Sequence, residues 1–458
     1  MVSGIMVVNQ EYYDPNDRVR RNDTMTRIRL TAVVLGTLVM AVAAFAEDLS
    51  LAAAIESAQA DSPQVAAAQA EAEFAEHGAR AAGSASWPTL GVSGSYGSFN
   101  GDVLYGRFIP GAPGDGSMSV GPYDRNATAA IELKQVLYAG GGIDAAKRAS
   151  GVDSRMAAES LRARRRELSY QVTRAYYEVL LAERSAEVAK TTIERSQESL
   201  DMIKLRFSEQ DALKVELLGA EGQLAADKLA LLEATNDLGL ARRSLNRLLG
   251  RPQETELKLS DLLEGALQVP PEATGVEDAA AANPHVRMAG LGVEQADAAF
   301  GSARSLSRPK LELSAIYTWI DNELFFEGQY AGAVVNLSIP FFQDIRAGSA
   351  AKKQARAQKT RADAMLADAK SAVELQAIAA YRGLEEKLAA VEAARKNLEY
   401  HRERFRVTQS GYREEMVTFS EVLDRHDDLR QAELGLFGAL FQTRVQEAEI
   451  RRLTGTGI

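Results

Sequence analysis

The chain has 458 residues, a formal charge of −10, 46% apolar and 25% charged residues, and no cysteine. This is not the composition of a disordered chain, and its acidity disfavours binding to nucleic-acid phosphates. The missing thiols exclude disulfides, thiolate metal sites, cysteine nucleophiles and a lipidated N-terminal cysteine.

Arg27 and Arg29 precede an apolar run from Leu30 to Val42, and Ala44-Phe45-Ala46 reads as a cleavage site before Glu47. Residues 1–46 are therefore expected to be an N-terminal extension and signal peptide, with Met25 as the start and cleavage after Ala46. No later segment reaches the ~18 consecutive apolar residues of a membrane helix, so any return to a membrane must use strands.

The first repeat is read over 47–250. It is helical from Leu49 to Arg80, with Ser62-Pro63 in the arrangement of a cap followed by proline at the first helical position. After Pro88 the period drops to two. Strands are expected at about 88–98 and 126–138, each with one apolar and one polar face, joined by a long glycine- and proline-rich loop over 100–124. A long helix is expected over 143–207. Val172, Val179, Ala186, Ile193, Leu200 and Phe207 recur every seven residues, offset against Leu168, Ala175, Ala182, Ala189, Ser196 and Ile203. That is a coiled-coil seam. At ~1.5 Å per residue such a rod is about 100 Å long. A second rod, 212–249, repeats leucine at Leu217, Leu224, Leu231, Leu238 and Leu245, and the short break between the two makes them antiparallel.

Residues 251–275 form a proline-containing linker, and a second repeat follows over 276–455. Asn283-Pro284, Pro309, Leu311, Leu313 and Tyr317 lie 221 residues after Ser62-Pro63, Pro88, Leu90, Val92 and Tyr96. Ala377, Leu384, Val391, Leu398 and Phe405 lie 205 residues after Val172, Val179, Ala186, Ile193 and Leu200. Strands are expected at about 309–320 and 330–342, and long helices at about 345–409 and 418–453. A repeat of this length is a duplicated domain.

The apolar strand faces carry Tyr96, Tyr317 and Trp319, which suits a barrel with lipid outside and water inside. Four strands cannot close a barrel, and an open sheet cannot span a bilayer, so strands must come from further copies of the chain. The alternative is a small sheet on helices in an exported periplasmic coiled-coil scaffold or adaptor without a pore.

The chain resembles the TolC family of outer-membrane efflux proteins, the outer membrane factors, over about 47–455. The carriers are Leu49–Ile55 with Ser62-Pro63, Trp87-Pro88-Thr89-Leu90, Ile339-Pro340-Phe341-Phe342 and Phe419–Asp424, in this order within the duplicated layout. The resemblance implies a mainly α chain with a transmembrane β-barrel. The barrel would be trimeric and 12-stranded, four strands per protomer, continuing into a coiled-coil helical tunnel across the periplasm. It implies a homotrimer in outer-membrane lipid, working with a periplasmic adaptor protein and an inner-membrane transporter of RND, ABC or MFS type. The function implied is a passive exit duct for a tripartite efflux pump or type I secretion system, gated at its periplasmic end.

No P-loop, H-E-x-x-H or G-x-S-x-G motif occurs, so no catalytic residue and no cofactor are expected. His77, His285, His401 and His426 are scattered, and His426-Asp427-Asp428 reads as the surface of an exposed helix rather than a metal site. The turn between the two rods of each half is more informative. Glu421 and Asp424 are three apart and share a helix face. In a trimer they would form carboxylate rings that favour cations, although acidic residues also suit an ordinary helix start. The resemblance assigns Asp424 and Glu421 to the closed periplasmic aperture. It also implies that Tyr412 holds the aperture by bonding to an acidic residue of the first half, Glu216. An arginine common in that turn is replaced by Val417, and the usual glycines by Gln210 and Glu415.

Overall fold

The computed structural model describes residues 49–99, 103–105, 118–120, 123–261, 263–265, 267, 269–322 and 326–455. The signal peptide expected over 1–46 lies outside them. Two units are distinguished. The small one includes residues 256–260, where Leu49 pairs with Leu259 in a parallel bridge. The large one takes in 51–255 with 261–458.

Each half runs through the same sequence of elements. In the first, α1 (Leu51–Asp61) and α2 (Pro63–Ser84) lead to β1 (Thr89–Phe99) and β4 (Tyr123–Tyr138), then to α3 (Gly142–Ser208) and α4 (Lys214–Leu248). The loop expected over 100–124 holds a further two-stranded ladder, β2 (Val103–Tyr105) with β3 (Met118–Val120). In the second half, α5 (Glu272–Ala282) and α6 (Pro284–Ser305) lead to β5 (Lys310–Asn322) and β6 (Phe326–Ser338), then to α7 (Gln343–Arg413) and α8 (Phe419–Thr454). β6 stops at Ser338, short of the expected 342, because Pro340 has no N–H for a ladder.

β1, β4, β5 and β6 form one antiparallel sheet in that order. The register places Val92 beside Ile131, Ile131 beside Tyr317 and Tyr317 beside Ala331. One face therefore collects Leu90, Val92, Tyr96, Ile131, Leu133, Tyr317, Trp319, Val335 and Leu337, all exposed in the single chain. The other face carries Thr89, Ser93, Glu132, Lys134, Ser314 and Thr318, together with the apolar Ile316, Ile320, Tyr330 and Val334. Among the described residues the outer edges of β1 and β6 have no partner strand.

The strand-to-helix corners differ between the halves. Gly140 (φ 66°) and Gly141 (φ 88°) make the first, and a Cβ on Gly140 would stand 2.9 Å from the Ser305 carbonyl oxygen. The second corner uses Phe342 at φ 44°, a conformation that L side chains rarely adopt.

α3 packs against α2, α4, α6 and α8, whereas α7 packs chiefly against α6 and α8. α4 and α7 thus stand at the two margins of the helical layer. The seam residues Val172, Ala175, Val179, Ala186, Ser196, Leu200 and Ile203 are buried. So are Tyr176, Tyr177, Val188 and Thr192 outside the seam, because α3 has neighbours on several sides. Halfway along, Arg444 of α8 is buried. It ion-pairs with Glu447 at 2.8 Å, donates to the Leu263 carbonyl at 3.0 Å and to that of Gly265, and lies 5.6 Å from the Tyr177 ring centroid.

Candidate functional site

The two hairpin turns close in the same way. In the first, the N–H of Asp211 donates to the Arg206 carbonyl (2.9 Å) and that of Gln210 to the Phe207 carbonyl (3.2 Å). In the second, Met416 donates to Gly411 (2.8 Å) and Glu415 to Tyr412 (3.1 Å). This paired pattern is the Schellman termination, which puts one residue in the left-handed region. That residue is Gln210 (φ 68°) in one turn and Glu415 (φ 59°) in the other, the two positions where the sequence lacks an expected glycine. A side chain there carries a steric penalty of about 1 kcal/mol or more, which glycine would not.

Helix starts differ. Thr418 caps α8, its Oγ1 accepting from the N–H of Glu421 at 3.4 Å. Leu213 precedes α4 and has no side-chain acceptor. Instead Glu216 turns its carboxylate back to the Leu213 N–H at 2.9 Å, one half of a capping box.

That use of Glu216 alters the expected tie to Tyr412. Among the described residues no hydrogen bond joins Tyr412 to Glu216. Tyr412 is buried, its ring 5.5 Å from that of Phe419, a residue only 2% exposed. Burial raises the Tyr412 phenol pKa, the nearby Glu216 charge raises it further, and Arg206 works the other way.

Arg206 is the residue that sequence reasoning missed. It ends α3, yet its guanidinium lies 5.1 Å from the Tyr412 ring centroid, donates to the Tyr412 carbonyl at 3.3 Å and pairs with Glu415 at 3.0 Å. The arginine absent at Val417 has its chemical counterpart on the opposite hairpin. Val417 itself packs against Gly411.

Glu421 and Asp424 lie in the first two turns of α8, opposite the buried Phe419 and Val422. Asp424 is exposed and, among the described residues, forms no ion pair. Glu421 is 3.9 Å from Arg425, whose stronger partner is Asp428 at 2.7 Å. Arg425 therefore tempers the negative charge of this face, a neutraliser that the three-residue spacing does not reveal.

Two turns into α8, His426 departs from the sequence expectation. It is 3% exposed rather than on the surface. Asp227 of α4 and Ser196 of α3 face it, because three helices converge there.

The profile of the outer membrane efflux protein family matches residues 54–251 and 275–456, one segment for each repeat. A search of curated proteins gave no match. The fold is similar to a Pseudomonas aeruginosa membrane protein (17% identity, 88% of this chain and 93% of that one, TM-score 0.74). It is equally similar to the outer membrane protein VceC of Vibrio cholerae (17%, 88% and 96%, TM-score 0.74). The open-state outer membrane channel MtrE of Neisseria gonorrhoeae gives 17% identity, 89% of each chain and a TM-score of 0.71. The family match covers well over half of the sequence, and the chain belongs to the outer membrane efflux protein family.

Proposed function

We propose that this chain is the outer-membrane exit duct of a tripartite export system, a homotrimer whose periplasmic end is closed by the two hairpin turns. The observation that carries the reading is the sheet. Its apolar, aromatic-bearing face is exposed in one chain, and both of its edges await partners. Backbone groups cannot be left unpaired in lipid, so β6 of one copy pairing with β1 of the next removes both liabilities at once. The helical margins match this need. α4 exposes Leu218, Leu229, Leu232 and Leu240, and α7 exposes Leu375, Ile378 and Leu388. Stacking α4 of one copy on α7 of the next buries both stripes.

In that assembly Asp424 and Glu421 form carboxylate rings at the aperture, with Tyr412 packed behind them and Glu216 capping the neighbouring turn. Arg206 ties one hairpin to the other. The long helices span the periplasm, energy comes from an inner-membrane transporter, and an adaptor protein joins the two.

The cysteine-free sequence makes the test direct. Cysteine pairs placed along Gly91–Ser95 of β1 and Tyr330–Asn336 of β6 should crosslink into trimers in outer-membrane fractions. A protein that fractionates as a soluble periplasmic monomer, with no crosslink at any register, overturns the proposal.

A further inference from the structure

We propose that the junction of α3, α4 and α8 is a binding site for a divalent transition-metal cation of the zinc type, held by Asp227, His426 and Asp427. One ligand atom from each of these residues lies within 4.8 Å of the other two. Zinc bonds to imidazole nitrogen and carboxylate oxygen are about 2.0–2.2 Å. One ion among them would reach all three after a small inward shift of the side chains.

Two observations set this cluster apart from a fully satisfied polar core. Asp227 is 3% exposed, yet its partners are neutral: the Ser196 hydroxyl and, at 3.2 Å, the Gln223 amide. No ion pair of Asp227 occurs among the described residues. A buried carboxylate without a countercharge is costly. His426 is equally buried, and its Nδ1 has no hydrogen-bond partner. Its Nε2 lies 3.3 Å from Ser196 Oγ.

The surroundings supply further donors. The Gln223 amide nitrogen sits between the two carboxylates, 3.2 Å from Asp227 Oδ1 and 3.3 Å from Asp427 Oδ1. It bridges the two carboxylates, as a shared cation would. Rotating that amide by half a turn would present its carbonyl oxygen as a fourth ligand. Arg430 lies 3.6 Å from Asp427 and would be displaced. Two carboxylates with one imidazole carry a charge of about −2, which a divalent ion balances, and the nitrogen and oxygen donors suit zinc or cobalt.

A bound ion would fasten the first hairpin to the second some 10–20 Å from their turns, at ~1.5 Å of helix per residue. The site goes beyond the duct reading and does not depend on it, since binding is measured on purified protein without any conductance.

The experiment uses the full-length protein in detergent, stripped with EDTA and exchanged into metal-free buffer. Addition of Co2+ should give visible d–d absorption saturating at one ion per chain, and Zn2+ should abolish that spectrum by competition. Zn2+ should also raise the unfolding midpoint by several degrees. Asp227→Asn and His426→Gln should each weaken uptake at least tenfold, while Asp428→Asn, next to the cluster but outside it, should leave uptake unchanged. The unmodified chain alone decides the question if a variant fails to fold. Absence of the cobalt spectrum and of zinc stabilisation in that chain overturns the proposal, as does full uptake by Asp227→Asn and His426→Gln.

Discussion

Two arginines in this chain do the same chemistry in different surroundings. Arg444 and Arg206 each lie over a tyrosine ring, each donate to a main-chain carbonyl and each pair with a glutamate. Halfway along the rods Arg444 and Glu447 are 4% and 5% exposed, and two carbonyls of the linker are tied to the guanidinium. At the hairpin turns Arg206 is 18% exposed and its partner Glu415 76%. The first constellation is desolvated and belongs to the packed structure. The second is open to water on its carboxylate side, so it holds without locking. The contrast suits a rod whose middle is fixed and whose end moves.

Substitutions at the two places should separate accordingly. Arg444→Ala leaves Glu447 buried with less countercharge and two carbonyls without their donor, and should cost about 3–5 kcal/mol. Thermal unfolding of the purified protein measures this, and a loss under about 1 kcal/mol would remove the distinction between the two arginines. Phe419→Ala empties the space beside Tyr412 and should cost about 3 kcal/mol, with faster proteolysis confined to the second turn.

Gln210→Gly relieves the left-handed position of the first turn and should add about 1 kcal/mol of stability. Glu415→Gly relieves the same strain but also loses the Arg206 ion pair, so its gain should be smaller. Equal gains would mean that the ion pair contributes nothing. Arg206→Gln should have the smallest effect on stability, about 1 kcal/mol or below, from an ion pair open to water on its Glu415 side and one ring contact. It should nevertheless raise the open probability of channels in planar bilayers. Unchanged gating would make Arg206 an ordinary surface residue.

The architecture is legible in the sequence because its signals are periodic. Heptads from Val172 to Phe207 mark the α3 seam, alternation around Leu90 and Tyr317 marks the strands, and the duplication supports each reading with a second copy. The wider buried face of α3 escapes such patterns. Tyr176 meets the Asp261 N–H of the linker and Tyr177 meets Arg444 of α8, and which elements will gather round a rod is not written in its own period. At the turns the shared helix face of Glu421 and Asp424 is visible from local spacing, and Tyr412 comes from the family resemblance. Arg206 is visible from neither, since it meets its partners across a separation of about two hundred residues. The same holds for Asp227 opposite His426, where a histidine that reads as surface is enclosed by a helix from the other repeat. Glu216 lies near Tyr412 in charge terms, while its carboxylate accepts from the Leu213 N–H, a capping role set by the local start of α4.

The second turn, with Asp424 and Glu421, is the proposed aperture of a conducting trimer. Purified protein in a planar bilayer tests it through ion selectivity and block by a trivalent cation added on the periplasmic side. The unmodified chain should be cation-selective and blocked, and Asp424→Asn with Glu421→Gln should lose most of both properties while forming the same trimers. Selectivity and block that survive this double substitution unchanged would contradict the assignment.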